Sequence, residues 1–66
     1  MFSPDTLSTA MALIAQYGED AEVVATLRAA ELAALNDGEG LAAWDEIIAC
    51  IQAIEGGGST QVKALH

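Results

Sequence analysis

The sequence is short of positive charge. Arg28 and Lys63 stand against ten Asp and Glu residues, for a formal net charge of −8. Phosphate backbones are neutralised by several cations acting together, so direct nucleic-acid binding is excluded on charge. An anionic membrane surface likewise repels such a chain. Cysteine is as scarce: Cys50 is the only one, so no internal disulfide can form. His66 is the single histidine, and with one Cys it cannot make up the four ligands of a structural zinc site. The longest stretch without a charged residue, Thr6 to Gly18, is thirteen residues, short of the ~20 apolar residues that span a bilayer. Met1-Phe2-Ser3-Pro4-Asp5 lacks the basic start of a secretion signal. A cytoplasmic location is therefore expected, and an unpaired cysteine suits it.

What the sequence has in quantity is alanine. Of its 35 hydrophobic residues fourteen are Ala, and the bulk comes mainly from seven Leu, five Ile and three Val. A chain of 66 residues makes one domain at most, and domains below about 70–80 residues usually rely on a disulfide, a metal or a partner subunit. The cysteine and histidine counts remove the first two. Association remains, so a homo-oligomer or a protein partner is expected.

The periodicity predicts an all-α fold, a three-helix arrangement over about 4–17, 20–35 and 38–55. Residues 1–55 form a single helical domain and 56–66 a flexible tail. Ser3 is placed to cap the first helix, with Pro4 at its first position and Phe2 and Leu7 at the two positions of a hydrophobic staple. Leu7, Met11 and Ile14 follow at helical spacing with Ala10 and Tyr17 alongside, and Gly18 is the terminator. A rival reading runs the first two helices together through Gly18. In the second helix Glu19, Asp20 and Glu22 occupy the first turn, where the dipole favours negative charge. Val23, Val24, Leu27, Ala30 and Ala34 make one face, while Ala25, Ala29 and Ala33 thin the helix elsewhere. Asn36-Asp37-Gly38-Glu39-Gly40 is the clearest turn. Asn36 or Asp37 caps the third helix, and Asn36 with Glu39 has capping-box spacing. Leu41, Trp44, Ile47, Ile48, Ile51 and Ile54 then form one broad apolar stripe, opposite Asp45, Glu46, Ala49, Gln52 and Ala53. Gly56-Gly57-Gly58-Ser59-Thr60 reads as a linker.

No constellation for catalysis emerges, and the chain is not expected to be an enzyme, to bind a metal or to carry a cofactor. An EF-hand register with Gly40 at position 6 places Asp37 at 3, Glu39 at 5 and Glu46 at 12, but Leu35 then falls at position 1, where a ligating side chain is needed. Adjacent carboxylates such as Asp45 and Glu46 do not face one another on a helix. Cys50 has no neighbouring base, and free cysteine packs well as a small hydrophobe. Arg28 is placed to pair with Glu31 one turn on, or with Asp45 or Glu46 across the fold. Trp44 has two readings that do not exclude each other: a core anchor, or an interface hot spot of the kind in which Trp is enriched.

Gly18-Glu19-Asp20-Ala21, Arg28-Ala29-Ala30-Glu31-Leu32, Asp37-Gly38-Glu39-Gly40 and Trp44 with Ile47, Ile48 and Ile51 together resemble short helical proteins of unknown function from sphingomonad-type alphaproteobacteria, over about residues 7–55. The resemblance implies a bacterial, cytoplasmic protein and carries over no activity and no functional residue. From the residues themselves, the expected role is that of a small acidic interaction module. It pairs with itself or a protein partner through the Trp44, Ile47, Ile48, Ile51 and Ile54 stripe. The alternative is an acidic inhibitor or nucleic-acid mimic that occupies a basic protein surface.

Overall fold

The computed structural model describes residues 2–63, with side chains described as far as residue 56. Its elements are α1 (Pro4–Tyr17), a 3-10 turn (Gly18–Asp20), α2 (Ala21–Ala34) and α3 (Gly38–Lys63). No strand occurs among the described residues. The fold is all-α.

Local chemistry sets the helix ends. Ser3 is extended at φ −68°, ψ 158°, and its Oγ accepts a bond from the Thr6 backbone N–H at 3.1 Å. Pro4 follows at the first helical position, where its missing N–H leaves nothing unpaired. Gly18 donates its N–H to the Ile14 carbonyl and then leaves the helix at φ 59°, ψ −125°. An L side chain rarely adopts that conformation, so a glycine belongs there.

Between α2 and α3 the polypeptide reverses within three residues. Asn36 sits in the left-handed region at φ 62°. Its N–H is donated to the Ala33 carbonyl at 3.1 Å, and that of Asp37 to the Leu32 carbonyl at 2.9 Å. This pair of bonds is a Schellman closure, which satisfies carbonyls the helix end leaves open. Asp37 then opens α3, its Oδ1 accepting the Gly40 N–H at 3.0 Å. The two residues thus divide the work: Asn36 closes one helix and Asp37 caps the next. A Cβ at position 40 would lie 2.6 Å from Asp37 Oδ2, so Gly40 leaves the room in which that cap forms.

Three expectations need correction. Helical backbone covers two stretches, 4–34 and 38–63, rather than three separate helices. Within the first, Gly18 departs from α-helical angles and the 3-10 turn Gly18–Asp20 joins α1 to α2 with no loop between them. Second, α3 does not end at residue 55: helical backbone continues through Gly56–Thr60 to Lys63, and 64–66 lie outside the described residues. Each glycine costs a helix only about 1 kcal/mol, and adding a residue to an existing helix avoids the cost of nucleation.

The third correction concerns which faces turn inward. In α2 the buried residues are Ala21, Ala25 and Ala29, whereas Val23, Leu27, Ala30 and Ala34 are exposed. In α1 they are Thr6 and Ala10, with Leu7 and Met11 exposed and Leu13 and Ile14 at the core edge. The core is completed by Ile47, Cys50 and Ile51 of α3, with Phe2, Trp44 and Ile48 packed around it. Small residues let helix axes come close, and large ones then fill the space from the opposite side. The alanines of α1 and α2 are the complement of the isoleucines of α3. Burying one such isoleucine contributes about 1.5–3 kcal/mol.

α2 and α3 form an antiparallel pair. A bond from Gln52 Nε2 to Glu22 Oε2 at 2.8 Å joins them far from their turn. Because α3 has 26 residues against 14 in α2, it runs on past the start of its neighbour. At 1.5 Å per residue it spans roughly 39 Å, which sets the 41 Å long axis of the molecule. The radius of gyration, 12.7 Å, exceeds the ~11 Å of a compact chain of this length for the same reason.

Candidate interaction surface

The α3 stripe is divided by the fold. Ile47 and Ile51 are buried in the core, and Trp44 and Ile48 are partly buried against it. Ile54, two residues beyond the Gln52 that bonds Glu22 in the first turn of α2, is 45% exposed. Ile47 and Ile51 are therefore interior side chains of the folded chain. The structure places Trp44 among the core-packing side chains and leaves Ile54 exposed. The alanine-rich α1 and α2 cover Ile47 and Ile51 because alanine lets helices approach closely.

Apolar side chains exposed to solvent lie on α1 (Leu7, Met11, Tyr17), at Leu35 and Ile54, and along the outer face of α2, and on α2 they border depressions. Val23 is 56% and Leu27 61% exposed, and Ala30 and Ala34 continue the same line along the outer face. Two depressions flank this ridge. One, of about 280 Å³, is lined by Glu19, Glu22, Val23, Thr26 and Leu27. The other, of about 160 Å³, is lined by Val24, Leu27, Arg28 and Glu31. Four of the first set, and all of the second, stand in an i, i+3, i+4, i+7 relation. That is the geometry of the hole into which a neighbouring helix inserts a side chain. Every wall belongs to α2 and its entry turn, so neither depression is a cleft between elements. Neither can enclose a small molecule as a binding pocket does, but each can seat one side chain.

The two holes differ in charge. Arg28 Nη1 lies 3.1 Å from Glu31 Oε1, an ion pair open to solvent, so the second hole is nearly neutral. Glu19 and Glu22 border the first with no cation among its lining residues. The Glu22 carboxylate accepts one bond, from Gln52, and has capacity for more.

The remaining candidates resolve into structural roles. Cys50 is a buried free thiol in the core. Arg28 pairs with Glu31 rather than crossing to Asp45 or Glu46. The Asp37 carboxylate of the EF-hand register is engaged in capping α3. Among the described residues no group of three or more His, Cys, Asp or Glu side chains is arranged to hold a metal ion. None of the helices described is long and apolar enough to cross a membrane. No family model, curated protein or solved structure matches the chain.

The sequence groups Val23, Val24, Leu27, Ala30 and Ala34 on one face, of which Val24 is partly buried and the other four are exposed. The missing signal lay in the alanines. Ala21, Ala25 and Ala29 repeat every four residues, a small-residue ridge that fits against bulky side chains.

Proposed function

We propose that the chain is a small acidic helical interaction module that works by contact, holding another protein against the outer face of α2. The observation that carries this reading is the inversion of α2: its alanines are spent on the core and its Val23 and Leu27 face solvent. The bacterial, cytoplasmic setting implied by the resemblance belongs to the same proposal.

The acidic-mimic reading keeps one observation in its favour, the net charge of −8. A mimic is held by diffuse electrostatics and loses its target as salt rises, whereas a contact through Val23 and Leu27 depends on those side chains. The test is a pair of parallel pull-downs at low and high salt, with tagged native protein and a Val23→Ser/Leu27→Ser variant. A partner retained at high salt by the native chain and lost by the variant supports the module. A partner held equally by both and shed at high salt favours the mimic. Absence of any partner, together with light scattering showing a monomer, removes the interaction reading.

A further inference from the structure

Resting on the α2 face as an interaction surface, we infer that its occupant is a cationic amphipathic helix of another protein. A Lys or Arg of that helix seats in the depression formed by Glu19, Glu22, Val23, Thr26 and Leu27.

The inference follows from the chemistry of that hole. Its apolar lining is Val23 and Leu27, and its polar lining is Thr26 and the two carboxylates Glu19 and Glu22. An apolar knob inserted there would cover carboxylates without pairing them, which is costly. A long basic side chain satisfies both parts: its methylenes lie along the valine and leucine while its charge reaches the carboxylates. The neighbouring residues of such a helix, apolar at three- and four-residue spacing, would cover Leu27 and Ala30.

A second copy of this chain fits less well. Each copy carries −8. The only basic residue available from its helices before the described side chains end is Arg28, already paired with Glu31. Bringing two α2 faces together sets Glu19, Glu22 and Glu31 of each copy against those of the other. The hole is short of positive charge, and a copy of this sequence has little to give.

The test is a calorimetric titration of the native protein with three synthetic peptides of about 18 residues, five helical turns. The first places Lys and Leu on opposite faces of a helix, the second scrambles the same composition, and the third replaces Lys with Glu. Native protein is expected to bind the first and to bind the second at least tenfold more weakly. Leu27→Ser and the Glu19→Gln/Glu22→Gln double variant are each expected to weaken binding about tenfold or more, with unchanged helical circular dichroism. An Asp5→Asn/Asp45→Asn control, which removes equal charge elsewhere, should leave affinity within about twofold. Equal loss in both carboxylate pairs, or equal binding of the scrambled peptide, overturns the inference, because attraction would then be a property of net charge alone. Binding of the Glu peptide, or a Leu27-dependent dimer in light scattering, overturns the cationic partner while leaving the α2 face as an interaction surface. If Leu27→Ser alters neither peptide binding, nor assembly, nor capture of any protein from extract, both readings fall.

Discussion

Asn36 holds a backbone conformation that costs an ordinary L residue about 1–2 kcal/mol. Replacing it separates conformation from side-chain chemistry. Asn36→Gly is expected to leave stability unchanged or slightly raised, and Asn36→Ala to lower it by about 1 kcal/mol, both read from urea denaturation. At Gly18 a Cβ would meet nothing within 4 Å, so any penalty there is conformational. Gly18→Ala should destabilise by about 1–3 kcal/mol. Gly38→Ala, at a helical position equally free of contacts, should stabilise by about 0.4–1 kcal/mol. Ser3→Ala removes the cap of α1 and should cost about 1 kcal/mol. These residues were legible in the sequence because their roles are local: Ser3 before Pro4, Gly18 after Tyr17, and Asn36-Asp37-Gly38 as a turn. Only the division of labour between Asn36 and Asp37 needed the backbone geometry, since either side chain can cap by composition alone.

At the scale of a helix, the informative comparison is between alanines. Ala25 is fully buried and Ala30 is exposed, yet they are the same residue on the same helix. Ala25→Leu should overpack the contact with α3 and cost about 1–3 kcal/mol. Ala30→Leu should change stability by no more than about 0.5 kcal/mol. Ile51→Ala, at a fully buried site, should cost about 2–5 kcal/mol through lost burial and the cavity left behind. Thermal and urea melts check all three. The same contrast shows where sequence reading stopped. Hydrophobic periodicity ranks positions by side-chain size, so it grouped Val23, Val24 and Leu27 in α2 and Leu7, Met11 and Ile14 in α1, of which Val24 and Ile14 are partly buried and the rest exposed. Close packing ranks them by fit to the neighbour. Where that neighbour offers Ile47, Cys50 and Ile51, the fit goes to alanine. The α3 stripe was read correctly as a stripe, and the existence of each helix was plain. What covers what is a tertiary fact that no single helix contains.

At the scale of the whole molecule, charge is unbalanced. Among the described residues the ion pair between Arg28 and Glu31 is exposed, and such pairs contribute only a few tenths of a kcal/mol. Repulsion among ten carboxylates spread over 66 residues opposes compaction. Added sodium chloride should therefore raise the melting temperature between low ionic strength and about 0.15 M, where the Debye length falls to about 8 Å. A melting temperature that falls over that range would show that attractive pairs outweigh the repulsion. The long α3 acts at this scale as well, since it alone gives the molecule its elongated outline.

The three-residue link between α2 and α3 also bears on how fast the chain reaches this state. It leaves the two helices with the largest shared contact adjacent in sequence, so little loop has to close before they meet. Folds built from such local contacts reach the native state in microseconds to milliseconds. The hairpin is therefore expected to form first, with α1 docking later. On that basis Asn36→Ala should slow the folding limb of a stopped-flow chevron, while Ser3→Ala should chiefly speed unfolding.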